Sequence, residues 1–415
     1  MKILIVNTSD IEGGAARAAY RLHKSLLNTN IDSKILVQNK KSDDFTVLPV
    51  NTTKLEKGFS LLRPSLDAIL VKKYKQKSMT HFSPNVLSNT NVIDKINNNN
   101  PDIVHLHWIN EGMIKIEDLV KIKAPIVWSL HDMWAFTGGC HYDEECEGYL
   151  KECGNCKVLR SSKENDLSRK IFYRKMKVFS KINKLTIVGL SKWLHLCAKK
   201  SILLENAKHI NLPNPINTEI FKPFDKKISR KLWNLPIDKK LVLFGAMKAT
   251  SDPRKGFNEL SEAMKKLTNR DIEFVVFGSS QPKNSLNFEF KTHYLGTLSD
   301  DVSLVTLYSA VDVMVVPSLQ ENLSNAIMES LSCGTPVVSF DIGGNSDMIE
   351  HKSNGYLAEA FNTYDLANGI GWILNNKDVQ LSINARQKIL EEFDSKVIAK
   401  KYIQLYKEVL NEKQS

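Results

Sequence analysis

Short apolar runs rich in β-branched residues alternate with helix-like segments along most of the chain, and this alternation restricts the fold more than any other feature. In the first half the runs lie at residues 2–6, 33–38, 103–107, 126–130 and 186–189, with a helical pattern over 14–27. Strands that alternate with helices in this way form βαβ units, whose strands are parallel. We therefore predict an α/β fold with a parallel sheet.

The alternation restarts after a proline-containing segment at residues 211–215. Neither a helix nor a central strand continues easily through Pro213 and Pro215, so we place a domain boundary there. The later apolar runs lie at 241–244, 274–277, 313–316 and 337–340. They predict a second parallel sheet.

The expected architecture is two Rossmann-like domains, residues 1–212 and 213–395, which face each other across a cleft. Residues 396–415 are predicted to form a closing amphipathic helix that crosses back and packs on the N-terminal domain. Its apolar positions recur at helical spacing: Ile398, Tyr402, Leu405, Tyr406, Val409 and Leu410. Open α/β sheets bind ligands beyond the carboxyl ends of their strands, so we look for chemistry there.

Composition excludes several classes of protein. Of 415 residues, 42% are hydrophobic and 25% are charged, which is typical of a globular chain and not of a disordered one. The first apolar run is too short for a signal peptide, and no run of about 18 apolar residues is present, so we expect a cytoplasmic protein. Residues 12–17 read EGGAAR, which is not the Gly-x-Gly-x-x-Gly of nicotinamide enzymes.

Two glutamates, Glu321 and Glu329, follow the apolar run at 313–316 and are separated by seven residues. This spacing places one carboxylate in a turn and the other about one turn inside the next helix. Carboxylates accept hydrogen bonds from vicinal hydroxyls, and amides at a helix N-terminus suit sugar oxygens or phosphate. The pattern indicates a sugar-nucleotide site; two solvated glutamates beside a buried helix are the alternative.

These motifs resemble the retaining, GT-B-fold glycosyltransferases of family 4, over nearly the whole chain. The resemblance rests on Gly13-Gly14, His131-Asp132, Pro213-Asn214, Lys255-Gly256, Glu321, Glu329 and Gly334-Thr335-Pro336. It implies transfer of a sugar, with retention, from a nucleoside-diphosphate sugar to a glycan or lipid-linked acceptor in cell-surface polysaccharide synthesis. The N-terminal domain is then the acceptor side, and the C-terminal domain binds the nucleotide sugar.

The resemblance also implies a role for each candidate residue. Glu329 holds the donor ribose, while Glu321 and the loop after it hold the donor sugar. Lys255 lies at the diphosphate, and His131 lies beside the transferred sugar. The implied catalytic residues are His131, Lys255 and Glu321, and the donor-binding set is Gly13, Gly14, Arg254, Lys255, Glu321, Asn322, Leu323, Ser324, Asn325 and Glu329.

A diphosphate leaving group needs positive charge beside it. No Asp-x-Asp motif follows a predicted strand, so we expect no catalytic metal. Arg254, Lys255 and the Gly13-Gly14 turn with its helix N-terminus are the predicted sources of that charge. A solvated loop pair and a turn needed only for helix packing are the alternatives.

Two departures from the family pattern are present. Ala246 stands where the family commonly has an arginine, and Arg254 is predicted to compensate for it. The sugar loop reads ENLS over 321–324, where Glu-x-Phe-Gly is common. They motivate an alternative function, a catalytically weak sugar-nucleotide or glycan-binding subunit.

A cysteine-rich loop at 138–157 carries Cys140, Cys146, Cys153 and Cys156. The Cys-x2-Cys half has the spacing of a metal knuckle, whereas the Cys-x5-Cys half is looser. We predict a structural zinc site. Free thiols, a disulfide or an iron–sulfur cluster are the alternatives.

Basic residues outnumber acidic ones by 57 to 46, and two segments combine them with apolar stripes. The first covers 170–184 and the second covers 59–77. Either could lie peripherally on an anionic membrane, at the inner face of the plasma membrane, or could be an ordinary surface helix. No recognisable reading helix is present, so we expect no nucleic-acid partner.

Overall fold

The computed structural model describes residues 1–89, 91–245, 252–268, 271–279, 290–376 and 378–412. The chain divides into two compact units. Unit 1 comprises Met1–Asn214 and Ile398–Ser415, and unit 2 comprises Pro215–Val397. No helix among the described residues is long and apolar enough to cross a membrane.

Unit 1 is built on a parallel sheet of seven strands. These are β1 (Lys2–Ser9), β2 (Asp32–Asn39), β3 (Val47–Pro49), β4 (Ile103–Leu106), β5 (Ile126–Leu130), β6 (Leu185–Gly189) and β7 (Lys208–Asn211). Their order in the sheet is β3-β2-β1-β4-β5-β6-β7. The helices are α1 (Gly14–Leu27), α2 (Lys54–Asp67), α3 (Val92–Asn98), α4 (Leu167–Phe179) and α5 (Lys192–Lys200).

Alternate residues of β1 point to the two faces of this sheet, and both faces are covered. Ile3 and Ile5 pack in a core with α1, whereas Leu4 and Val6 pack in a second core with α3, α4 and α5. Strands buried on both faces read as continuous apolar runs, which is why the central strands are visible in the sequence.

Unit 2 repeats the plan with a six-stranded parallel sheet in the order β10-β9-β8-β11-β12-β13. Its strands are β8 (Lys240–Gly245), β9 (Ile272–Phe277), β10 (Thr292–Tyr294), β11 (Val313–Val316), β12 (Val337–Phe340) and β13 (Gly355–Ala358). Its helices are α6 (Lys226–Leu232), α7 (Phe257–Met264), α8 (Asp301–Ala310), α9 (Asn325–Ser332), α10 (Asn345–Met348), α11 (Thr363–Asn375) and α12 (Gln380–Glu392). The predicted pair of parallel sheets is confirmed.

The closing helix α13 (Ser395–Asn411) is amphipathic, as its spacing predicts. From Ile398 onward its apolar side chains lie in the core that α1 shares with the sheet of unit 1. Tyr406 Oη is 2.7 Å from His105 Nδ1, and Tyr402 Oη is 3.2 Å from Ser129 Oγ. The helix is thus tied to β4 and β5 by hydrogen bonds as well as by packing.

One membrane prediction is corrected by the position of α4. Its apolar stripe, including Ile171, Phe172 and Phe179, is buried in the core of unit 1. Arg174, on the same helix, pairs with Glu117 at 2.7 Å. The apolar face is therefore not available to lipid, and α4 is an ordinary surface helix.

Candidate active-site residues

Lys255 and Glu321 come together in unit 2 at the carboxyl end of β11. Glu321 lies in the loop that follows this strand, and its Oε2 atom is 3.1 Å from Lys255 Nζ. The side chains of Lys255 and Glu321 are 26% and 15% exposed, so both groups face partly into solvent. The pair can therefore exchange partners with a ligand that carries negative charge or hydroxyl groups.

Gly256 explains why the two loops meet. Its φ is +72°, in the left-handed region that favours glycine. A Cβ at this position would lie 1.8 Å from the carbonyl oxygen of Pro317, at the start of the Glu321 loop. The backbone N–H of Leu319 also donates to the carbonyl of Arg254 at 2.8 Å. A side chain at Gly256 would force these loops apart and separate Lys255 from Glu321.

Arg254 is engaged within its own loop. Its Nε and Nη2 atoms donate to the two carboxylate oxygens of Asp252, at 3.1 and 2.8 Å. Asp252 also accepts a hydrogen bond from the backbone N–H of Arg254. Burial raises the pKa of Asp252, but the hydrogen bonds and the charge of Arg254 outweigh it, so the net pKa is lower than usual. The charge of Arg254 is therefore largely compensated before any ligand arrives. Ala246, whose missing arginine it was predicted to replace, lies outside the described residues.

Glu329 is buried on α9, where the seven-residue spacing predicts it. Its side chain is 4% exposed, and Tyr308 Oη donates to its Oε2 at 3.0 Å. The loop residues Asn322, Leu323 and Ser324 are also buried. Ser324 caps α9 and Asn325 begins it. Tyr308 comes from α8, and no sequence signal indicates this partner.

His131 lies in unit 1 at the end of β5 and is one member of a row of imidazoles. His131 Nε2 is 2.8 Å from His107 Nδ1, and the rings of His107 and His105 have centroids 4.4 Å apart. Burial lowers the pKa of His131 to about 4 and that of His105 to about 3. These imidazoles are therefore neutral at pH 7 and act through hydrogen bonds.

Asp132 joins several elements of the same region. Its Oδ2 atom accepts from Trp108 Nε1 at 3.1 Å and lies 2.6 Å from His141 Nδ1. Burial raises the pKa of Asp132, but His141 and the hydrogen bonds outweigh it, so the net pKa is lower than usual. His141 in turn contacts Ser83 at 2.8 Å. Sequence reasoning missed His141, although it stands only nine positions after Asp132.

Gly13 forms the turn before α1. Its φ is +94°, and a Cβ there would meet open space. The helix that begins at Gly14 has no side-chain cap and no acidic residue in its first turn. Its N-terminus therefore keeps the positive potential of the helix dipole, which suits a phosphate.

The four cysteines of the cysteine-rich loop are mostly buried. Cys140, Cys153 and Cys156 are buried, Cys146 is partly buried, and all four are free thiols. Among the residues described, no three His, Cys, Asp or Glu side chains are placed to hold a metal ion. The backbone N–H of Gly138 donates to Cys153 Sγ at 3.2 Å. A structural zinc site at these four cysteines therefore stays a prediction, with free thiols, a disulfide or an iron–sulfur cluster as the alternatives.

A buried lysine lies beside these thiols. Lys175 Nζ donates to the carbonyl oxygens of Trp134 and Thr137 and is 3.7 Å from the centre of the Trp134 ring. Burial lowers the pKa of Lys175 to about 7, while Cys140 and Cys153 oppose that shift. Sequence reasoning treated α4 lysines only as surface charge and therefore missed it.

Comparison with known proteins places residues 238–376 in a family described as Glycosyl transferases group 1. A Campylobacter jejuni relative, N,N'-diacetylbacillosaminyl-diphospho-undecaprenol alpha-1,3-N-acetylgalactosaminyltransferase, is 30% identical over 204 residues, 47% of this chain and 53% of its own length. An Escherichia coli K12 protein, the putative colanic acid biosynthesis glycosyl transferase WcaC, is 23% identical over 374 residues, 86% of each chain.

The fold also matches a solved structure. Anabaena HepE in complex with UDP-glucose superimposes with a TM-score of 0.64 at 16% identity, over 99% of this chain and 100% of that one. At this identity the match concerns the fold, and it agrees with the predicted GT-B architecture. Residues 238–376 thus match the model of the Glycosyl transferases group 1 family, and the chain is similar to proteins that are named as glycosyltransferases.

Proposed function

We propose that the chain is a retaining glycosyltransferase of the family-4 type, which moves a sugar from a nucleoside-diphosphate sugar to a glycan or lipid-linked acceptor without a catalytic metal. The observation that carries this proposal is the Lys255–Glu321 pair, which stands at a strand end close in sequence to the helix that bears Glu329. A cation for the diphosphate, a carboxylate for the donor sugar and a carboxylate for the ribose match the groups that a nucleotide sugar presents.

Each group has a distinct part in the reaction. Lys255 stabilises the charge that develops on the diphosphate as the glycosidic bond opens. Glu321 then accepts hydrogen bonds from the donor sugar, and Glu329, fixed by Tyr308, accepts from the ribose hydroxyls. In unit 1 the Gly13-Gly14 turn contributes positive potential, and neutral His131 contributes a hydrogen bond to the transferred sugar.

The relatives support the proposed acceptor class. The Campylobacter relative is named for a diphospho-undecaprenol acceptor, and the Escherichia coli relative is named for colanic acid biosynthesis. We therefore place the chain in the synthesis of a cell-surface polysaccharide. The anomeric configuration of the product, read by NMR, tests the proposed retention.

The two glutamates provide the sharpest test of the assigned roles. Glu329→Ala should weaken the binding of free UDP, GDP or ADP, whichever the wild type binds, because its partner is the ribose. Glu321→Ala should leave that affinity nearly unchanged and lower the rate of transfer. Isothermal titration and a transfer assay separate the two effects. Equal losses of nucleotide affinity would contradict the division of roles.

A catalytically weak sugar-nucleotide-binding subunit is the second candidate. The observation in its favour is the pairing of Arg254 with Asp252, which leaves Lys255 with less help at the diphosphate. Incubation of the purified protein with nucleotide sugars decides between the two. Slow hydrolysis or transfer supports the enzyme, and tight binding without turnover supports the subunit.

A further inference from the structure

Helix α2 is attached to unit 1 by its polar side. Asp67 is buried and accepts from the backbone N–H groups of residues 85–87 at 2.8–3.1 Å. Arg63 donates to the carbonyl of Ser88 at 2.6 Å, and the buried Ser60 lies on the same side. An amphipathic surface helix normally does the reverse and turns its apolar side inward.

The apolar side of α2 is consequently exposed. Four of its side chains follow the helical spacing of a single stripe, and a fifth continues the stripe in the turn after the helix. Their exposed fractions are Leu55 81%, Phe59 60%, Leu62 57%, Leu66 42% and Ile69 48%. Isolated exposed leucines are common in proteins, but a continuous stripe of this length marks an interaction surface.

The charges around the stripe are mostly positive. Between residues 54 and 77 the exposed ionisable side chains are lysines: Lys54, Lys57, Lys72, Lys73, Lys75 and Lys77. The two acidic side chains of this segment are both engaged by the protein. Glu56 accepts from the backbone N–H groups of Thr52 and Thr53, and Asp67 is buried.

We propose that the stripe on α2, with its flanking lysines, docks unit 1 on an anionic membrane surface. Exposed aliphatic and aromatic side chains enter the boundary between headgroups and acyl chains, and lysines beside them bind anionic headgroups. The helix is already folded and capped by Thr53 and Glu56, so docking does not require it to form. The proposal concerns lipid binding alone and does not depend on the proposed transfer reaction.

The apolar part of the surface is tested with vesicles made from equal parts of phosphatidylcholine and phosphatidylglycerol. Wild-type protein should sediment with these vesicles, and Phe59→Ser/Leu62→Ser should not. The matched control is Ile228→Ser/Leu232→Ser, which removes two apolar side chains of similar exposure, 50% and 62%, from α6 in unit 2. This control should bind as the wild type does, and all variants should have unchanged melting temperatures.

The charged part is tested with a second matched pair. Lys72→Gln/Lys73→Gln should weaken binding on the order of 25-fold, because each lysine near an anionic surface contributes roughly fivefold. Lys170→Gln/Lys177→Gln removes two exposed lysines from α4 and should change little. Vesicles of phosphatidylcholine alone should bind all of these proteins weakly.

Three results would overturn the proposal. One is equal vesicle binding by wild type and Phe59→Ser/Leu62→Ser, and another is loss of binding in the α6 control but not in the α2 variant. The third is a dimer in analytical ultracentrifugation that Phe59→Ser/Leu62→Ser dissociates, without vesicle binding by the wild type. That result would assign the stripe to a second copy of the chain.

Discussion

In both units polar side chains lie together at the carboxyl ends of neighbouring strands, but different interactions hold them there. In unit 1, His107 and His131 share a hydrogen bond between packed rings, and His141 is hydrogen-bonded to Asp132. In unit 2, Lys255 and Glu321 form an ion pair that faces partly into solvent. One arrangement is held in place by its own packing, and the other is held by charges that a ligand can compete for.

This difference separates two kinds of contribution to binding and catalysis. A packed neutral network offers preorganised hydrogen bonds and has little freedom to move. A partly exposed ion pair contributes little to the free energy of unfolding. Replacing it with contacts to a phosphate or a sugar therefore costs little free energy. Substitutions in unit 2 should therefore change activity more than stability, and those in unit 1 should change both.

The largest effect is expected for Lys255. Removing one contact to a developing charge costs about 2.7–4 kcal/mol, or roughly 10²–10³ in rate. Lys255→Ala should lose transfer activity on this scale while the protein stays folded, because it removes one partly exposed ion pair and leaves the backbone contacts of the two loops in place. Steady-state transfer kinetics and a thermal melt measure both quantities.

Lys265→Ala is the control, since Lys265 also pairs with a glutamate, Glu262 at 2.5 Å, but at a far more exposed position. It should retain wild-type kinetics. If Lys255→Ala behaved like this control, the role assigned to the ion pair at β11 would be wrong.

A smaller effect is expected for Arg254. Sequence alone assigns Arg254 the same loss as Lys255, but its pairing with Asp252 compensates its charge. We therefore expect Arg254→Ala to lose about tenfold in transfer rate or less, since exposed pairs contribute roughly 0.2–1 kcal/mol. Asp252→Asn should release the guanidinium and tighten binding of the free nucleoside diphosphate, measured by titration.

The opposite results are informative as well. A loss with Arg254→Ala as large as that with Lys255→Ala would mean that the arginine leaves Asp252 when the donor binds. Unchanged or weaker nucleotide binding by Asp252→Asn would show that the carboxylate positions the loop and does not compete for the charge.

The same contrast between buried and exposed groups explains what the sequence could predict. The predicted strands of both sheets are the interior ones, and β5, β11 and β12 match their predicted bounds residue for residue. The four strands that were missed are the sheet edges β3, β7, β10 and β13, each of three or four residues. Edge strands are short and mostly only partly buried, so their apolar pattern is weak.

The candidate site shows a comparable limit. Spacing along the chain places Glu329 on its helix and Glu321 in its turn, because both distances are local. Tyr308 is the partner of Glu329, and His141 is the partner of Asp132. Both contacts depend on how loops and helices pack, which no local sequence pattern encodes. Asp252 lies only two positions from Arg254, so the distance along the chain is local here as well. Nothing in that spacing, however, shows that the carboxylate would form an ion pair with the guanidinium.

The last prediction concerns the pH dependence of stability in unit 1. Burial lowers the pKa of His131 to about 4, whereas an unfolded histidine titrates near 6.5. Between these values the unfolded chain binds a proton that the folded one does not, so the free energy of unfolding should fall as the pH falls from about 6.5 to 4 and be constant above that range. Each such histidine contributes a slope of at most about 1.4 kcal/mol per pH unit.

His131→Asn should reduce the slope measured by urea denaturation at a series of pH values, and His351→Asn, at an exposed position, should not. If His131→Asn left the slope unchanged, packing would not hold this imidazole neutral. Unit 1 would then lack, at this residue, the packed neutral network that distinguishes it from unit 2.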